Sequence, residues 1–236
     1  MSTSNSTNFS ITRDEIIGGA LRLSGVVAEG STPTSDQITT AAQALNMLIK
    51  ALQVDGMPLW AVKEYTMSLT ASTGSYNIGI GETINTPKPL KVLQAYLRNT
   101  TSNIDIPLRL VTRDEYNRLG NKISTGVPSQ LWYDPQRDKG TITIYPIPGT
   151  TEASTYTITL IYQRPFEDFD ASTDNPDFPQ EWYEAIKYGL AVRMAGEYGV
   201  PLEDRRQLMQ EYILIKNDAL GFGTEEGSFF IFPRDR

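Results

Sequence analysis

The chain has 236 residues, with 21 Lys+Arg against 28 Asp+Glu and neither His nor Cys. This excludes disulfides, thiolate or imidazole metal sites, a thiol nucleophile and Ser-His-Asp catalysis. The net charge of −7 argues against a tight grip on nucleic acid, which needs clustered Lys and Arg. No wholly apolar run exceeds four residues, whereas a bilayer-spanning helix needs about 20. The opening MSTSNSTNFS lacks the charged and apolar regions of a secretory signal.

Residues 1–11 are rich in Ser, Thr and Asn, with Phe9 and Ile11 as apolar exceptions, and read as a flexible arm. Order begins with the capping box Thr12-Arg13-Asp14-Glu15, in which a hydroxyl and a carboxylate satisfy the first free helical N–H groups. Ile16, Ile17, Ala20, Leu21 and Leu23 continue as a helical stripe up to Gly25. Gly18-Gly19 inside it costs up to ~1 kcal/mol each against Ala, which points to close approach of a neighbouring helix or to a hinge. A second capping box, Thr34 to Gln37, opens a helix with the stripe Ile38, Ala41, Leu45, Leu48, Ile49 and Leu52. It stops at Asp55-Gly56, with Pro58 beyond.

The pattern then changes to period two. Glu64–Leu69, Ser75–Ile78, Leu90–Arg98, Ile106–Val111, Ser129–Tyr133, Thr141–Tyr145 and Thr155–Tyr162 read as strands. A third capping box, Thr112 to Glu115, marks a short helix, and the polar turn 134–140 makes a hairpin of the strands beside it. Prolines fall at strand ends, where a missing donor is tolerated. The loop FEDFDASTDNPDF, 166–178, holds Glu167, Asp168, Asp170, Asp174 and Asp177 and no base.

Helical periodicity returns with Trp182, Ile186, Leu190 and Met194 up to Tyr198-Gly199. It resumes with Pro201 at the first position of the next helix and Glu203 and Asp204 facing the positive helix end, along Leu208, Tyr212, Ile215 and Ala219. Met209, Ile213 and Leu220 lie off that line, which leaves apolar surface for another subunit. The expected class is α+β: residues 12–58 and 179–221 form a helical bundle, 59–178 an inserted antiparallel β region, and 222–236 an extended C-terminal tail. Phe229, Phe230, Ile231, Phe232 and Pro233 on a Gly-rich tether need a partner, in the chain's own core or on another protein.

No catalytic set emerges. Glu181 and Glu184 share a helix face, and Asp168 lies near Asp170, but chance pairs are inevitable among 28 acids. Residues 170–177 lack the glycine and closing Glu of a calcium loop, and Gly79-Ile80-Gly81 lacks the following helix of a phosphate loop. No metal or cofactor is expected.

Three groups of residues, taken in order, carry a resemblance. They are Asp55-Gly56-Met57-Pro58-Leu59-Trp60; Gly74-Ser75-Tyr76-Asn77-Ile78 with Gly140–Pro146; and Phe178-Pro179-Gln180-Glu181-Trp182 leading into Glu197-Tyr198-Gly199. Over residues 12–221 the chain resembles the head-to-tail adaptor proteins of short-tailed bacteriophages, a family that includes head-completion, packaged-DNA stabilisation and tail tubular A proteins. The resemblance implies a structural virion protein at the head–tail junction, made in the host bacterial cytoplasm. It implies a homo-oligomeric ring of about twelve subunits on the portal protein, docking tail nozzle, spike or fibre proteins. The C-terminal segment would bind the portal through Phe229, Phe230, Ile231, Phe232, Pro233, Arg234 and Arg236. The acidic loop would face the DNA channel or the surface, in transient, non-sticky contact with double-stranded DNA. Two alternatives stay open: a carbohydrate-binding phage structural module using Trp132 and Tyr133, and a cell-wall glycosidase working through Glu181 or Asp168.

Overall fold

A computed structural model describes residues 3, 5–55 and 59–222. In chain order its elements are α1 (Arg13–Leu23), α2 (Ser35–Asp55), β1 (Val62–Ser68), β2 (Ser75–Gly79), β3 (Ile84–Asn85), β4 (Lys91–Asn99), β5 (Asp105–Leu110), α3 (Arg113–Asn117), β6 (Gln130–Pro135), β7 (Gly140–Tyr145), α4 (Thr150–Thr155), β8 (Tyr156–Gln163), α5 (Tyr183–Glu197) and α6 (Leu202–Phe222). The fold is mixed α+β, with six α-helices and an eight-stranded sheet among the described residues. The chain divides into two compact units, Met1–Leu59 with Phe166–Arg236, and Trp60–Pro165.

In the helical unit α5 is the central element, packed against α1, α2 and α6. Ala185, Ile186, Leu190, Ala191, Met194 and Ala195 on α5 are buried, as are Ile16, Ile17 and Leu21 on α1 and Leu45, Leu48, Ile49 and Leu52 on α2. All three capping boxes form. Thr12 N–H donates to Glu15 at 2.8 Å, Thr34 N–H to Gln37 at 2.9 Å and Thr112 N–H to Glu115 at 2.8 Å. Small residues set the helix spacing. A Cβ on Gly19 would lie 3.3 Å from Lys187 of α5, which favours the close-approach reading of the Gly pair. A Cβ on Gly189 would lie 2.9 Å from Tyr212 of α6 and 3.0 Å from Leu48 of α2, so both helices ride over a bare backbone. Gly199, at φ +69°, makes the left-handed turn between α5 and α6 that other residues resist. Pro201 sits one position ahead of the first helical residue, its carbonyl accepting from Arg205 N–H at 3.1 Å.

In the β-rich unit the strand order is β1-β8-β4-β5-β6-β7-β2-β3. Interior residues from all eight strands, among them Met67, Tyr76, Ile84, Leu97, Leu108, Leu131, Ile144 and Leu160, form one core cluster. A sheet whose strands all share one core must curl round it. Accordingly, Thr86, just past β3, meets Tyr162 of β8 through their hydroxyls at 2.9 Å. The region is not wholly antiparallel as the sequence suggests, because β2–β3 and β5–β6 pair in parallel. The β5–β6 connection, 111–129, is long enough for the crossover that parallel strands require, and it contains α3. Two elements carried no usable sequence signal: the two-residue β3 and the six-residue α4.

Candidate functional site

With no catalytic constellation to build on, the candidate features are surfaces. The first is the acidic loop. It clusters with the helical unit, not with the β-rich segment in which the sequence reading places it. Buried Phe166, Phe169 and Phe178 anchor it, and Phe166 meets Phe178 edge-on at 4.8 Å. Asn46, Lys50 and Gln53, one turn apart on α2, bind its backbone. Gln53 accepts from Phe166 N–H at 3.0 Å, Lys50 donates to the Phe166 carbonyl at 2.9 Å, and Asn46 exchanges bonds of 2.9 and 3.1 Å with Phe169.

The five carboxylates therefore differ in role. Asp174 accepts from Asp170 N–H at 2.8 Å and Ala171 N–H at 2.6 Å, and these backbone donors hold its carboxyl below the usual range. Asp177 accepts from Glu167 N–H at 3.1 Å. These two residues shape the loop. Asp168 pairs with Lys50 at 2.7 Å, and Arg13 donates to the Asp170 carbonyl at 3.3 Å. Thus a loop with no base in its own sequence acquires two from the helices, a juxtaposition that its local sequence does not signal. Glu167, Asp168 and Asp170 remain exposed.

The second surface is the outer side of α6. Leu208 and Ala219 are its buried positions, whereas Met209 and Ile213 are 43% and 44% exposed. Of the three off-line apolar residues singled out from the sequence, Met209 and Ile213 therefore face outward and Leu220 is half-buried, while Leu202 and Leu214 are also exposed. Sequence reasoning missed a counterpart on α2, where Met47 and Val54 are exposed seven residues apart. The signal was present, as apolar residues lying away from the Leu45–Leu52 stripe.

The third is an aromatic shelf on the β-rich unit. Trp132 stacks on Tyr116 of α3 with centroids 5.1 Å apart, and the Arg113 guanidinium lies 5.5 Å from the Trp132 ring. Arg113 is held there by Asp134 at 2.5 Å. Neighbours within the chain therefore occupy Trp132. Tyr133 donates its hydroxyl to the Pro89 carbonyl at 2.5 Å, and burial, helped by the Asp134 charge, pushes its pKa up to about 12. Both rings serve packing, which weakens the sugar-platform alternative.

Glu181, in the chain leading into α5, and Glu184, in the first turn of α5, are exposed. A cleft of about 770 Å³ beside α1 is lined by Phe9, Ile11, Glu15, Arg22, Glu29 and Lys187, but Glu15 is committed to Thr12 N–H and is held below the usual range by it. The structure brings neither Glu181 nor Asp168 into this cleft. Among the described residues no helix is long and apolar enough to cross a membrane. The segment proposed from sequence to bind the portal, Phe229, Phe230, Ile231, Phe232, Pro233, Arg234 and Arg236, lies outside the described residues.

Charge is divided unevenly between the units. Trp60–Pro165 carries 11 Lys+Arg against 8 Asp+Glu, a surplus of +3, and the remainder carries 10 against 20, or −10. The acidity of the chain thus belongs to its helical unit. A family model described as SU10 adaptor protein matches residues 12–222, spanning both units. No curated protein matches the chain.

Proposed function

Because the chain belongs to the SU10 adaptor protein family, we propose that it forms a ring below the portal vertex, extends the DNA channel, retains the packaged genome and docks tail proteins. Membership makes it a bacteriophage structural protein and a virion component. The observation that carries the finer reading is the extent of the match. It runs from the capping box of α1 to the end of α6 and includes the inserted sheet. The whole architecture is therefore that of an adaptor, not of a grafted module. An outward apolar stripe on α6 supports assembly, since such a stripe on a lone subunit would stay in water. Modest contacts suffice in a ring, where each bond raises the effective concentration for the next.

In this reading residues 222–236 anchor the ring to the portal. Phe229, Phe230, Ile231 and Phe232 supply apolar area worth about 1.5–3 kcal/mol each when fully buried. Ordering costs of about 1–2 kcal/mol per backbone residue offset much of it. A single tail is therefore a marginal binder, and a ring of tails a strong one. Arg234 and Arg236 pair with portal carboxylates and add orientation more than energy. The test is deletion of residues 224–236. The truncated protein should keep its melting temperature within a few degrees and lose co-purification with portal rings. A truncated protein that unfolds would place the Phe cluster in the chain's own core and end the anchor reading.

A further inference from the structure

We draw no further inference here: the strongest candidate, the cleft beside α1 lined by Phe9, Ile11, Arg22, Glu29 and Lys187, carries nothing, because Glu15 and Glu29 match Arg22 and Lys187 in number on its walls and nothing in the structure shows what fills it.

Discussion

Gly189 is the residue on which the helical unit depends most sharply. Its missing Cβ would sit 2.9 Å from the Tyr212 ring and 3.0 Å from Leu48, so a larger residue must push α2 and α6 away from α5. Gly189→Val is expected to cost about 1–3 kcal/mol, the usual penalty of overpacking, read as a lowered urea midpoint at an unchanged slope. Gly19→Ala offers the contrast. The nearest atom there is the flexible Lys187 Cδ at 3.3 Å, and Ala gains about 1 kcal/mol of helix propensity. This variant should match or exceed the parent's midpoint, and a loss as large as that of Gly189→Val would contradict the packing account. Asp174 governs a pH dependence. Its two backbone donors depress its folded pKa, so the stability it adds is fully present above the unfolded value near pH 4. That stability is lost as pH falls through the folded value. The gap in urea midpoint between parent and Asp174→Ala should accordingly be constant at neutral pH and close on acidification. Asp168→Asn breaks only a half-exposed pair, worth about 0–1 kcal/mol. Together with Glu181→Gln, it should leave ring assembly intact. Loss of a peptidoglycan-cleaving activity from rings that still form would make the protein an enzyme after all.

At the scale of elements, the readable parts of the sequence were those with a repeating pattern and a cap. Each Thr-x-x-Glu or Thr-x-x-Gln box opened a helix because its chemistry is local, complete within four residues. The long strands were legible through alternation, as in β8, where Ile158 and Leu160 point to the core. What could not be read was set by distant partners. The parallel β5–β6 junction depends on where a long crossover returns. The two-residue β3 exists through its pairing with β2. The acidic loop looked like a bare run of carboxylates because Lys50 and Arg13 reach it only in three dimensions, from more than a hundred residues away. The interaction surfaces were half legible. Periodicity identified the extra stripe of α6, but the α2 face passed unnoticed because Met47 is surrounded in sequence by Leu45, Leu48 and Ile49 of the buried stripe.

For the whole molecule, the chain enters the β-rich unit on β1 and leaves it on β8, and these strands lie side by side, with Val62 opposite Gln163. Arg164 N–H also bonds the Ala61 carbonyl at 2.9 Å, which closes the unit at its two ends. Residues 60–165 have their own core. Expressed alone, this segment should fold and melt cooperatively in circular dichroism, and an unfolded fragment would contradict its independence. The separation of charge, +3 there and −10 in the remainder, bears on the proposal that the ring extends a DNA channel. If contact with duplex is transient and non-sticky, as the resemblance implies, the chain should bind it no tighter than the ~10⁻⁴–10⁻⁶ M of non-specific contacts near physiological salt. Submicromolar retention on filters with a steep salt slope would show a gripping surface instead. The proposed seating of a ring of this adaptor on a portal can be checked by electron microscopy of the full chain mixed with its cognate portal protein. A second ring of density stacked beneath each portal ring, in register with its axis, is the expected result. Bare portal rings beside free monomers or two-fold dimers would contradict it.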